Sequence, residues 1–266
     1  MSRVSQAEAW RRVRNVLEMS DLVLEVIDSR DPVETRNRRV EELLSKLGKP
    51  LIIVINKADL VPIDVLKEWK EYLEKEYPTV FISAKNRLGT RKLMVSIKQH
   101  APRLPVRVSV VGYPNVGKST IINYLKGRHV AETSPVPGWT IGEQIVRAKQ
   151  WLIVIDTPGV IPPEEVKDEA LLIIKGAIDP SKLEDPVLPA VKLIMRIKSF
   201  NPKAFMDRYG VDAEDPMELL ELIGRKRGLL LKGGKVNIRG AAIAVIKDWI
   251  LGKLIYYYKP GVVGNA

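Results

Sequence analysis

"IIVINKADLV", residues 52–61, decides how the rest of this chain is read. Ile52 to Ile55 are four β-branched residues in a row, which reads as a strand buried on both faces. Asn56, Lys57 and Asp59 stand where that strand stops. Open α/β sheets bind ligands along the carboxyl ends of their strands. An amide, an ammonium and a carboxylate at that edge therefore point to a binding site, provided that neighbouring strands end in matching chemistry.

The pattern outward from this strand supplies those neighbours. Apolar spacing predicts a helix over 6–19, a strand in "DLVLEVIDS" (21–29) and a helix in "VETRNRRVEELLSKLG" (33–48), closed by Gly48. After strand 51–55 come a helix over 63–75, a strand at 79–82 and a helix near 89–99. The link "APRLP" (101–105) leads to strand 106–111, then "GYPNVGKST" (112–120) and a helix to about 126. Such alternation builds βαβ units and a parallel sheet. Residues 127–142 read as a mobile loop, and "EQIVRAK" with "WLIVIDT" (143–157) as a hairpin. "AIDPSKLEDPVLP" (177–189) is rich in Pro and Asp and sets a boundary near 178. Helical pattern follows. The expected architecture is an α/β domain over 1–177 and a smaller, mainly α-helical domain over 178–266.

Composition bounds the function. Of 266 residues, 45% are hydrophobic and 28% charged, a globular balance. No apolar run approaches the roughly 20 residues of a membrane span, and "MSRVSQAEAW" lacks the apolar core of a signal peptide. With no cysteine, disulfides and thiolate metal sites are excluded. The expectation is a cytoplasmic protein without membrane contact. A net charge of +11 favours polyanionic partners, with nucleic acid first.

"GYPNVGKS", Gly112 to Ser119, fits G-x-x-x-x-G-K-[ST] and lies between a strand and a helix, as a phosphate loop requires. Glycines let the backbone turn its N–H groups onto phosphate oxygens, and the helix N-terminus adds its positive end. Asn115, Val116, Gly117, Lys118, Ser119 and Thr120 are the expected phosphate-binding residues. Lys118 would reach the β and γ phosphates, and Ser119 would ligate Mg²⁺. "DTPG" (156–159) is weak alone, but it follows a hairpin past that loop. There Asp156 would hold Mg²⁺ through water and Gly159 N–H would meet the γ-phosphate. Asp59 can accept from guanine N1–H and the 2-amino group, and adenine would leave it unpaired. Asn56 would brace the purine or the phosphate loop, and the Lys57 stem would cover the base. Ser83, Ala84 and Lys85 close the next strand, with Ala84 N–H available to guanine O6.

All the elements of a GTPase are present, in rotated order: base reader, S-A-K, phosphate loop, D-x-x-G. Cutting such a domain between its base and phosphate halves, and joining the old ends through "APRLP", gives this order without moving the site. The chain resembles the circularly permuted GTPases associated with assembly of the large ribosomal subunit. The likeness extends to "DSRDP" (28–32), similar to that family's Asp-Ala-Arg element with Ser29 in place of Ala, and to the basic helical tail.

The resemblance implies a P-loop GTPase fold with permuted motif order, hydrolysis of GTP to GDP and phosphate, and ribosomal RNA or the pre-ribosomal large subunit as partner. It implies a monomer with no DNA specificity. It places Thr140 of "VPGWT" as the switch threonine on Mg²⁺, with Lys118, Thr140 and Gly159 carrying the catalysis; Trp139 departs from the usual pattern. Val160 stands where many GTPases have a water-orienting glutamine, so turnover would be slow without an activator, or the chain would be a nucleotide-gated RNA-binding module. Asn115 matches a position that helps bind K⁺; a plain turn former is the alternative. "RKRGLLLKGGKVNIR" (225–239) reads as a phosphate-contacting surface or as a solvated helix end. "LIYYYKPG" (254–261) reads as packing, or else as a base-stacking platform.

Overall fold

The computed structural model describes residues 6–127, 145–156 and 168–262. Strand β1 (Leu22–Asp28) is the hub of the sheet, and all seven of its residues are buried. It pairs in parallel with β2 (Leu51–Asn56), Val26 opposite Val54 and Asp28 opposite Asn56. On its other side it pairs in parallel with β4 (Val106–Val111), Leu24 opposite Val110. β3 (Thr79–Phe81) extends the sheet beyond β2. β6 (Leu152–Asp156) lies beside β4, and β5 (Ile145–Lys149) runs antiparallel at that edge. The order is β3-β2-β1-β4-β6-β5; the central strands are largely apolar because they are covered on both faces. The expected hairpin is the β5–β6 pair.

Helices α1 (Gln6–Met19) and α2 (Arg38–Lys46) cover one face: Val13, Leu17, Val40 and Leu44 meet Val23, Leu51 and Val111. α3 (Ile63–Leu73) buries Val65, Leu66, Trp69 and Leu73, one stripe at helical spacing. α4 (Thr90–His100) buries Leu93 and Ile97, and α5 (Lys118–Lys126) buries Ile121, Ile122 and Leu125. Trp69 is 2% exposed, so truncating it to alanine would cost about 3–5 kcal/mol.

α2 starts later than its apolar pattern predicts. Asn37 caps it by accepting from Val40 N–H, and the residues before it form a largely buried turn, Val33 at its exposed tip, in which Thr35 Oγ1 donates to Asp31 O at 2.6 Å and accepts from Asp28 N–H. Glu25 is the other surprise. Its side chain on the central strand is fully buried and accepts from Asn37 N–H. Burial and the neighbouring Glu41 push its carboxyl well above the usual range. At the opposite end of β1, Asp21 accepts from Arg103 Nη2 at 2.9 Å and Arg107 Nη2 at 2.8 Å, so the "APRLP" link is fastened where the two halves join.

The chain divides into two compact units, 1–164 with 259–266, and 165–258. The division falls before the boundary expected near 178, because α6 (Glu169–Ile174) buries Leu172 and Ile173 and receives a hydrogen bond at Ile174 O from Trp249 Nε1. The last residues return to the first unit, where Lys259 Nζ lies 2.6 Å from Glu68 on α3. The second unit also holds α7 (Val187–Phe200), α8 (Ala204–Tyr209), α9 (Pro216–Lys226) and α10 (Ile238–Ile250). Leu193, Ile197, Phe205, Leu219, Ile223 and Trp249 are among its buried residues. Trp249 stacks on Tyr256 at 4.7 Å, and Phe200 on Tyr258 at 4.8 Å. Tyr256 and Tyr258 are therefore core residues, as the packing reading expects; Tyr257 is exposed.

Candidate functional site

From β1 the chain moves outward through β2 and β3; from β4 it crosses the other way, to β5 at the far edge, and returns to β6 beside β4. The reversal between β1 and β4 opens a crevice at the carboxyl ends of the strands. Four adjacent parallel strands end there in Asp28, Asn56, the 112–120 loop and Asp156.

The loop is held by backbone shape. Gly112 has φ +140, and a Cβ on it would lie 2.4 Å from Val26 O. Asn115 adopts φ 60, a left-handed conformation. Gly117 has φ +103, and a Cβ there would lie 2.1 Å from Asn56 Nδ2. Gly117 caps α5 with no side-chain hydrogen bond, so the first amides of that helix are not claimed by a capping side chain. Lys118 is buried and donates to Tyr113 O at 2.6 Å. Burial lowers its ammonium pKa to about 8, an effect that the charge of Asp156 partly offsets. Ser119 and Thr120 are exposed. The result is a concave, positively polarised cradle with a lysine at its wall.

The base end is held by side chains. Asn56 Nδ2 donates to Val116 O at 2.8 Å, while its Oδ1 accepts from Ala84 N–H at 3.1 Å. One buried amide thus ties the phosphate loop to the S-A-K turn. Ala84 N–H, expected to face guanine O6, is engaged by Asn56. Ser83 is buried, accepts from Asn86 N–H and exchanges backbone bonds with Leu88; Lys85 is exposed. Lys57 sits at φ 61, ψ 33 and opens the short turn Ala58–Leu60, which carries an exposed Asp59. A cleft of 630 Å³ is lined by Ala84, Lys85, Thr120, Asn123 and Tyr124 among others, so the S-A-K turn and α5 border the same space, without Asn56, Lys57 or Asp59 in its lining.

Ser119 hydroxyl and Asp156 carboxylate are hard oxygen donors of the kind that Mg²⁺ takes beside phosphate oxygens and water, so the donor set fits that ion. Thr140 and Gly159, expected at the same place, lie outside the described residues, as do Trp139 and Val160. Asp28 was not expected at the site: its carboxylate lies 2.6 Å from Lys57 Nζ. "DSRDP" was the available signal, but nothing in the sequence says that its aspartate faces the next strand.

In the second unit, the basic stretch 225–239 divides by role. Arg239 Nη2 donates to Leu183 O, and Arg227 lies 3.6 Å from the buried Asp248, so both take part in the packing. Leu230 and Val236 pair across a small antiparallel bridge, and Lys232 and Lys235 are exposed at its turn.

The family described as "50S ribosome-binding GTPase" matches residues 107–197, and that described as "Elongation factor Tu GTP binding domain" matches residues 10–103. The chain is 46% identical over 249 residues to an uncharacterized GTP-binding protein of Methanocaldococcus jannaschii, covering 92% of this chain and 65% of that protein. It is 35% identical over 270 residues to nucleolar GTP-binding protein 2 of Pneumocystis carinii, covering 97% of this chain and 55% of that protein. The chain thus spans about half to two thirds of the length of these relatives. The GDP-bound structure of Thermotoga maritima YlqF superposes with a TM-score of 0.70 at 27% identity, over 94% of this chain and 99% of that one. The GNP-bound form gives 0.69 at 28% identity, over 96% and 99%.

Proposed function

We propose, from the premise that this chain belongs to the circularly permuted GTPases of ribosome assembly, that it is a Mg²⁺-dependent GTP-hydrolysing switch acting on the large subunit through ribosomal RNA. The observation that carries this reading is the Asn56 amide, bonded at once to the phosphate loop and to the S-A-K turn. Those two segments are separate in sequence, and their junction at Asn56 supports the reading of a purine-nucleotide site between them.

In this reading the amides of the 112–120 loop and Lys118 hold the phosphates and stabilise the charge that spreads over them during transfer. Phosphate oxygens would draw Lys118 away from Tyr113 O. Ser119, Asp156 and Thr140 would hold Mg²⁺, which supplies charge neutralisation at the phosphates when bound. Gly159 N–H would meet the γ-phosphate, and Asp59 would select guanine, with Lys57 across the base. Asn115 would take a share in a K⁺ site. Its left-handed backbone also satisfies the turn-former reading. Exposed Lys232 and Lys235, with Arg225 and Lys226 at the end of α9, would meet RNA phosphates. The protein would act as a cytoplasmic monomer. Among the described residues no helix is long and apolar enough to cross a membrane.

Val160 supports a second reading, a nucleotide-gated RNA-binding module with little turnover, because valine cannot orient water. Single-turnover GTP hydrolysis, with and without large-subunit particles and with Mg²⁺ removed by chelation, separates the two. The switch reading expects Mg²⁺-dependent cleavage accelerated by particles. Nucleotide-dependent particle binding without cleavage would replace it with the second.

A further inference from the structure

The Asp28-Ser29-Arg30 element closes β1 beside the base end of the crevice, and the function above assigns it no task. Its contacts converge on Asn56 and Lys57. Ser29 N–H donates to Asn56 O at 2.9 Å, and Ser29 Oγ donates to Lys57 O at 2.8 Å. Asp28 Oδ2 accepts from Lys57 Nζ at 2.6 Å and from Arg30 Nη2 at 2.8 Å. Asp28 Oδ1 accepts from the Arg30 N–H and Nε, both at 3.0 Å. Asp28 is 5% exposed and Arg30 2%, so this is a buried, hydrogen-bonded ion cluster rather than a solvated surface pair.

Lys57 needs such support. Its φ of 61 lies in the left-handed region, which a lysine keeps only when its surroundings hold it there. The turn carrying Asp59 begins at that residue, so the backbone angles of Lys57 set the direction in which Asp59 points. Ser29 holds the peptide carbonyls on both sides of the Lys57 Cα. Asp28 holds the ammonium, leaving the methylene stem as a fixed surface. A serine is needed for the second bond; the alanine usual in the similar family element has no hydroxyl to donate.

We propose that Asp28 and Ser29 are positioning residues of the base site, which lock Lys57 and thereby aim Asp59 at the guanine edge. This rests on the reading of Asn56, Lys57 and Asp59 as that site.

The test uses the full chain and compares affinities for GDP and IDP. IDP lacks the 2-amino group, so the GDP-to-IDP ratio reports the aim of Asp59 and is insensitive to the phosphate end. Asp28→Asn is expected to lose about tenfold in GDP affinity and to bring the ratio close to one, the loss of one charged hydrogen bond to the base. In GTP hydrolysis it should raise KM with kcat changed less than twofold. Asp28→Asn added to Lys57→Met should cost no more than Lys57→Met alone, because Asp28 acts through that lysine. A folded Asp28→Asn protein with the wild-type ratio, or additive losses in the double variant, would overturn the proposal. Should Asp28→Asn not fold, Ser29→Ala carries the test: it removes one hydroxyl and should lower the ratio two- to fivefold, and an unchanged ratio refutes the proposal. A wild-type ratio of one would remove the base-site reading itself.

Discussion

The two ends of the nucleotide crevice are built on different principles. The base end is fixed by buried side chains: Asn56, Asp28 and Ser29 each bond to groups on another segment. The phosphate end is fixed by backbone angles at Gly112, Asn115 and Gly117, with Ser119 and Thr120 left open to solvent. Reading a base requires donors and acceptors already aimed when the ligand arrives. Phosphates are recognised by a field of amides, for which loop shape suffices. In the proposed reading, specificity therefore rests on side-chain identity at one end, and on conformational freedom at the other.

Gly117→Ala attacks both ends at once and carries the largest expected effect. The added methyl would collide with Asn56 Nδ2 at a φ that alanine rarely adopts. A loss of roughly a hundredfold in GDP affinity is expected, from strain and a broken buried hydrogen bond together. Calorimetric titration decides it; wild-type affinity would show that the two ends are not joined through Asn56. Asp59→Asn attacks the base end alone. It turns an acceptor into a donor on one side, so preference should move from guanine to xanthine nucleotides by about tenfold or more. Paired titrations with GDP and XDP measure it, and unchanged preference would place the base reader elsewhere.

The phosphate end is addressed by pH. The Lys118 ammonium has its pKa lowered to about 8 by burial, and phosphate oxygens would raise it again. Binding then takes up a proton once the free lysine has lost its own, so GDP affinity should fall about tenfold between pH 7 and pH 9. Proton uptake measured in buffers of different ionisation enthalpy checks this, and Lys118→Ala should abolish the slope. The same shift opposes folding below about pH 8, and this opposition is relieved as pH rises toward the ordinary lysine range. The smallest effect is that of K⁺ over Na⁺ on hydrolysis, severalfold at matched ionic strength. Equal rates would leave Asn115 as a turn former only.

The strand runs, the phosphate loop and the rotated motif order were legible because each is local in sequence and tied to one backbone geometry. The late start of α2 was not, since the apolar spacing begins before the Asn37 cap. Glu25 sat in an apolar strand without any sign that it would be covered. Nor could Lys57 be paired with Asp28, because that pairing depends on β1 and β2 being in register at their ends. The Pro- and Asp-rich stretch 177–189 lies inside the second compact unit, where it forms turns between helices.

The place of β1 in the sheet has a consequence for how the chain is made. Synthesis delivers β1, β2 and β3 before β4, yet β1 needs partners on both sides. Until Val106–Val111 has emerged, the nascent protein leaves the backbone N–H and C=O groups along one edge of β1 unpaired. Unpaired edges of this kind recruit other chains. The half carrying Asn56, Lys57 and Asp59 thus leaves the ribosome first, with that edge still open. The strand that leads into the 112–120 loop is also the strand that covers the open edge of β1, so this fold ties completion of the sheet around Asn56 and Lys57 to arrival of the half that carries that loop.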